Sequence, residues 1–224
     1  MTQLLLGLAP EWVPTLENFV AGRNVELLSA LRHAVTAQQG ERGLYLWGET
    51  GGGKSHLLQA VVGHARDAGQ LAVYACGAVP EAAQVVAVDD VESLDDAAQI
   101  ALFALYNRMR ENGGMLLVSG KQAPAFLQLR ADLRTRLGWG LVYQVHALSD
   151  AEKAQALQQH AQARGLELGN EVTTYLLRHG RRDLPALLVT LNALDEHCLR
   201  LKRTASVPLL KDVMSLQELK SGTP

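Results

Sequence analysis

The chain has 224 residues, 48% hydrophobic and 20% charged, which supplies a core for one domain or a main domain with a small appendage and excludes a disordered protein. Lys and Arg number 21 against 23 Asp and Glu, a net charge of −2, which argues against a strongly basic nucleic-acid-binding domain but leaves room for a local basic patch. The two cysteines, Cys76 and Cys198, form no C-x-x-C pair, so neither a zinc knuckle nor a thioredoxin-type motif is available. They read as buried free thiols of a cytosolic protein, with a single disulfide as the alternative.

Met1–Pro14 has no positive region ahead of its short apolar stretch, which Gly7 and Pro10 interrupt. It reads as an extended N-terminal arm over residues 1–14, not as a signal peptide. No run of about 18 apolar residues occurs, so no membrane-spanning helix and no membrane partner are expected. Asn24 is placed to cap a helix reaching about Gln38, with Val25, Leu28, Leu31 and Val35 on one face. Gly43–Trp47 is a short apolar run, read as a buried strand. A Gly-rich turn follows, then a helix from about Lys54 to Ala68.

Further strands are expected at Leu71–Ala75, Val85–Val88, Met115–Val118 and Leu141–Val145, with a helix over Ala97–Arg110. Only nine residues, Cys76–Gln84, join the second and third strands, so a minimal crossover with at most one helical turn is predicted. Strands alternating with helices imply an α/β fold with a parallel five-stranded sheet and helices on both faces. After Leu148 the pattern is helical only. Helices are expected near Asp150–Arg164, Glu171–His179, Leu184–Leu201 and Pro208–Leu216, the first capped by Ser149 or Asp150. The chain thus divides into the arm, an α/β base over 15–148, a small all-helical unit over 149–216 and a frayed tail over 217–224.

Gly48-Glu49-Thr50-Gly51-Gly52-Gly53-Lys54-Ser55 fits G-x-x-x-x-G-K-S, between a strand and a helix as that motif requires. Gly48, Gly51, Gly52 and Gly53 let backbone N–H groups turn inward around phosphate oxygens, and the helix N-terminus adds a favourable field. Lys54 would reach the β- and γ-phosphates, and the Ser55 hydroxyl would ligate Mg2+. The strand ending Val88-Asp89-Asp90 supplies a companion carboxylate. Asp89 would hold Mg2+ directly or through water, and Asp90 would orient or deprotonate the attacking water, a solvated loop carboxylate being the plainer alternative. Glu92, Asp95 and Asp96 read as surface charge. Ser119, at the end of the fourth strand, reads equally as a sensor of the γ-phosphate or as a loop hydroxyl. Arg130, Arg134 and Arg136 precede Gly138-Trp139-Gly140; spacing alone makes each an ordinary surface arginine or a finger reaching a neighbour's nucleotide. None of the seven histidines forms a convincing metal pair, and His56 reads as packed rather than catalytic.

Taken together, these pieces resemble the AAA+ superfamily, and within it the DnaA-related clade, over residues from about 15 to 215. Thr15–Asn24 looks like that clade's opening motif, whose Phe19-Val20 segment borders the adenine pocket. Gly53–Ala60 looks like its Walker A helix, and Arg134–Gly140 is similar to its arginine-finger box, with Arg136 at the finger position. Arg182-Asp183-Leu184 is similar to its sensor-2 motif, and the resemblance makes the C-terminal helices a lid from which Arg182 reaches the phosphates. Gln3-Leu4-Leu5-Leu6 looks like a sliding-clamp-binding peptide, Gln3 at the pocket rim and Leu4 and Leu6 in apolar subsites.

Within the clade the likeness is to Hda-type regulators, because no room remains after the lid for an initiator's further DNA-binding domain. The resemblance implies ADP or ATP with Mg2+ as ligands, a cytoplasmic bacterial location, and weak intrinsic ATPase activity at most. As partners it implies DnaA, the DNA polymerase III beta sliding clamp, DNA indirectly through the clamp, and a second copy as a homodimer. Regulation would consist of stimulating hydrolysis of DnaA-bound ATP in trans. The sequence departs from the clade at the short 76–84 connection and at Lys121 and Gln122, which stand where relatives show an acidic residue and an arginine. The rival readings are a helicase loader or shortened initiator binding single-stranded DNA, and a self-sufficient P-loop NTPase.

Overall fold

The computed structural model describes residues 13–36, 40–81, 83–181 and 183–221, the side chains of 218–221 excepted. Five strands, β1 (Gly43–Trp47), β2 (Ala72–Cys76), β3 (Val85–Asp89), β4 (Met115–Gly120) and β5 (Leu141–Gln144), form one sheet in the order β2-β3-β4-β1-β5. Every pairing is parallel. The central strands are apolar without alternation because both faces are covered; every residue of β3 and β4 is buried. The edge strands β2 and β5 show partial exposure instead.

Helices α1 (Val25–Thr36) and α2 (Lys54–Asp67) cover one face, where Leu31, Leu57, Leu58 and Val61 pack on Leu46 and Leu117. Helices α3 (Asp96–Glu111) and α4 (Ala131–Leu137) cover the other, with Leu102, Leu105 and Leu133 against Tyr45, Val86 and Val118. The expected α/β architecture is therefore present. The connection after β1 crosses one face and that after β4 crosses the opposite one, so a crevice opens at the carboxyl ends of these adjacent strands.

Four further helices, α5 (Asp150–Ala163), α6 (Asn170–His179), α7 (Leu184–Leu201) and α8 (Val207–Ser221), bury a core of their own around Leu157, Leu176, Leu191, Leu194 and Leu210. A full capping box opens α5: the Ser149 hydroxyl accepts the Glu152 N–H, while the Glu152 carboxylate accepts from the Ser149 backbone N–H at 2.7 Å. Asp183 caps α7 by accepting the Ala186 N–H at 2.9 Å, and Pro185 sits in the first turn, where a missing N–H costs nothing. Helix α8 runs past the expected end at Leu216.

Between β2 and β3 the described residues contain no helix, as the nine-residue spacing requires; Val79 and Ala83 cover part of that face instead. Helix α4, just seven residues long with Arg and Asp at three of them, was not expected from periodicity.

Candidate nucleotide site

The phosphate loop follows β1 into the crevice. Gly48 has φ of 152°, and a Cβ there would run into the Val145 carbonyl. Gly53, at φ 98°, is the first residue before α2, and a Cβ would lie 2.7 Å from Cε2 of Phe19. Both positions thus require glycine for close approach as well as for backbone angle. Lys54 folds over the loop, its Nζ donating to the carbonyls of Gly48 at 2.7 Å and Glu49 at 2.9 Å. Burial pulls the Lys54 ammonium below its ordinary pKa, while Asp89, Glu92 and Asp90 pull it back up. Ser55 is exposed at the start of α2.

Asp89 is 4% exposed, and both of its carboxylate oxygens accept hydrogen bonds. Its Oδ2 accepts the Tyr74 hydroxyl at 2.8 Å from β2. Its Oδ1 accepts both the Ser119 hydroxyl and the Asp90 backbone N–H. Ser119 is completely buried and also accepts from Asp90 N at 3.2 Å, so its hydroxyl is committed to the β3 carboxylate rather than directed into the crevice. Burial pushes the Tyr74 phenol up to about 12, so it remains a donor. Tyr74 was not anticipated: its role depends on the cross-strand register and no local pattern signals it.

Asp90 takes a left-handed backbone conformation, φ 54° and ψ 57°, directly after β3. Lys121 Nζ lies 3.7 Å from its Oδ1. Glu92 is not mere surface charge, because its Oε1 accepts the Lys121 backbone N–H at 2.5 Å and its Oε2 is buried without a hydrogen-bond partner. Asp95 likewise has a defined task, capping α3 through the Ala98 N–H at 2.8 Å.

Among the described residues no group of three His, Cys, Asp or Glu is arranged to hold a metal ion. The donors nevertheless fit Mg2+, which keeps several waters and takes one or two protein ligands beside substrate phosphates. Asp89 and Ser55 would hold it, and the buried free oxygen of Glu92 adds negative field.

Beside the loop a cleft lies between base and C-terminal helices. Phe19 and Val20 line it, together with His146 from beyond β5 and Leu184, Pro185 and Leu188 from α7. Phe19 is tilted on His56 at 5.5 Å, and His56 Nε2 meets the Thr15 carbonyl at 2.9 Å, so His56 is packed as expected. Asn24 opens α1 through its backbone, but its side chain does not cap. It clasps His146 instead, donating to the carbonyl at 2.9 Å and accepting the N–H at 2.8 Å. The cleft is therefore floored by α1 and the β5 exit together.

Arg136 stands elsewhere. It lines a crevice with Gly43, Tyr106 and Gly140, at the amino end of β1 and so opposite the phosphate loop. Its guanidinium carbon sits 3.8 Å from the centroid of Trp139 and 5.4 Å from that of Phe103, and its Nε is buried without a hydrogen-bond partner. Arg130 is paired with Asp132 at 3.1 Å, and Arg134 is half-buried. Arg182 and the N-terminal Gln3, Leu4 and Leu6 lie outside the described residues, as do the rest of residues 1–12 and the final three.

The family model "Hda, lid domain" matches residues 150–214, the span of α5–α8, and "Bacterial DnaA ATPase domain" matches residues 12–74, which contain the phosphate loop. The chain is a DnaA-related, Hda-like AAA+ protein. Domain III of DnaA from Thermotoga maritima matches this AAA+ protein with a TM-score of 0.72 at 19% identity, over 92% of this chain and 97% of that one. AMPPCP-bound DnaA from Aquifex aeolicus matches at 0.69 and 20%, over 83% of this chain and 67% of that one. The RuvB Holliday junction branch migration motor of Thermotoga maritima matches at 0.64 and 16%, over 91% and 72%. At these identities the likeness is one of fold: the five-stranded sheet with its helical lid. No described helix of the AAA+ protein is long and apolar enough to cross a membrane.

Proposed function

We propose that the chain is a nucleotide-responsive regulator of replication initiation that promotes hydrolysis of ATP bound to DnaA, with Arg136 acting in trans. The observation that carries this reading is the placement of Arg136 at the far end of β1 from its own phosphate loop, where it cannot serve a nucleotide held there. Trp139 and Phe103 hold the guanidinium by cation–π contact and its Nε is buried, so its terminal Nη donors would meet a partner's phosphate. Such a cation at the transferring phosphoryl group is worth about 10³–10⁵ in rate.

The chain's own ligand, ADP or ATP with Mg2+, belongs in the crevice. The glycine loop and Lys54 bind its phosphates, Phe19 and Val20 border the base, and Arg182 reaches down from the lid. Bound Mg2+ supplies charge neutralisation on the phosphates. Asp89 is held ready by Tyr74 and Ser119, and the cleft shared with α7 lets the ligand set the angle between base and lid. Gln3, Leu4 and Leu6 attach the chain to the sliding clamp. Clamp and DnaA then meet on the same DNA, where tethering raises the effective concentration of the second contact.

The test is hydrolysis of labelled ATP on DnaA, with clamp-loaded DNA, comparing wild type, Gln3→Ala and Arg136→Ala. Stimulation that requires the clamp and Gln3 and disappears in Arg136→Ala is the expected result. Steady ATP turnover by this chain alone, with no effect on DnaA, would replace the reading with a self-sufficient NTPase.

A further inference from the structure

We infer that Lys121 is a latch on Asp90, holding the carboxylate best placed to activate water and so keeping the chain's own ATP turnover low. The inference rests on the nucleotide-site reading above. Four observations converge on it. Asp90 follows β3 in a left-handed conformation, and Lys121 Nζ stands 3.7 Å from its Oδ1. Lys121 is itself held from behind, because Glu92 accepts its backbone N–H at 2.5 Å. Gly120 makes that hold possible: a Cβ there would strike the Tyr45 hydroxyl and lie 2.9 Å from Glu92 Oε1. Finally, the Gly48 N–H of the phosphate loop donates to the Gly120 carbonyl at 3.3 Å, so Lys121 follows directly on a residue bonded to that loop.

Hydrolysis forms a bond from water oxygen to the γ-phosphorus and breaks the bond to the β–γ bridging oxygen. Inorganic phosphate and ADP separate, and one proton leaves the water. Both Asp89 oxygens accept hydrogen bonds and Glu92 Oε1 accepts the Lys121 N–H, whereas the Asp90 carboxylate meets the Lys121 ammonium. A carboxylate engaged by an ammonium is oriented toward that ammonium and not toward water. The partners are 59% and 40% exposed, so the latch is weak and reversible. It sets a rate and does not abolish it. The arrangement suits a protein whose output is directed at another molecule's nucleotide.

The experiment measures phosphate release by the full chain with ATP and Mg2+, for wild type, Lys121→Ala, Lys121→Arg, Asp90→Asn and the Lys121→Ala/Asp90→Asn double variant. Equilibrium binding of fluorescent ATP and ADP, with EDTA present, runs beside it. Lys121→Ala is expected to raise kcat about two- to five-fold with KM unchanged, the range that an exposed ion pair allows. Lys121→Arg stays near wild type, and in the Asp90→Asn background removing Lys121 has no effect. A structural role for Lys121 would not produce that background dependence. Unchanged turnover in Lys121→Ala overturns the latch. So does a ten-fold loss of ATP affinity with ADP affinity intact, which would make Lys121 a terminal-phosphate contact. Failure of the wild type to bind either nucleotide overturns the site reading and the latch with it, and the binding arm separates that case from the others.

Discussion

Substituting Gly53 by alanine tests whether the adenine side of the cleft and the phosphate loop are built as one unit. At φ 98° an alanine adopts a left-handed conformation costing about 1–2 kcal/mol. Its Cβ would also lie 2.7 Å from the Phe19 ring, an overpacking that costs about 1–3 kcal/mol. The sum, about 2–5 kcal/mol, corresponds to a fall in Tm of roughly 4–20 °C for a chain of this size. Gly51→Ala is the internal control: its φ is 81°, yet nothing lies within 4 Å of the added Cβ, so the backbone cost alone applies. Thermal unfolding of both variants, with Phe19→Ala combined with each, isolates the contact in a double-mutant cycle. The expected coupling between Gly53→Ala and Phe19→Ala is at least about 1 kcal/mol, with none for Gly51→Ala. Equal destabilisation of the two glycine variants, with no coupling, would refute the idea that Phe19 rests on the loop.

Asn24→Ala strips two hydrogen bonds from the His146 backbone and should cost about 1–3 kcal/mol per group left unsatisfied, read by urea unfolding, with weakened ADP binding because the cleft floor loosens. Burial holds the His56 imidazole below its ordinary pKa, so the unfolded chain takes up that proton more readily. The stability contributed by this group is full above about pH 6.5 and is lost as pH falls below it, and a urea series should show a shallower acid-side loss in His56→Asn than in wild type. Leu191→Ala, in the core of α5–α8, should cost about 2–5 kcal/mol. Calorimetry should show that loss in unfolding of the lid, while the spectroscopic signature of the sheet is retained.

Where local chemistry determines structure, the sequence was legible. The phosphate-loop pattern had to lie between a strand and a helix, and β1 and α2 flank it. The unbroken apolar runs of β3 and β4 signalled strands covered on both faces, and α7 occupies the span its periodicity marked. The site was legible wherever one motif holds the groups together. What escaped depends on neighbours that are distant in sequence. Tyr74 reaches Asp89 only because β2 and β3 pair in that register. Asn24 has the composition of a cap, yet across 122 residues His146 offers its side chain two partners instead of one. Glu92 looked like one acid in an acidic run, and only the close approach allowed by Gly120 gives it a partner at Lys121. Helix α4 is too short for periodicity to register.

The bare connection between β2 and β3 also affects how the molecule opens. A helix in that crossover would weigh down the outer strand; here β2 carries one flank of loop and keeps three half-exposed residues and an exposed Cys76. Amides on β2 should therefore exchange with solvent through small local openings, well before those of β3 or β4, whose release needs the whole sheet to come apart. Tyr74 rides on that first-released strand, and its hydroxyl is one of the supports of Asp89. Each breath of the sheet edge thus frees the carboxylate from one partner, and a ligand that holds Asp89 in its contact with Tyr74 should slow deuterium uptake along β2.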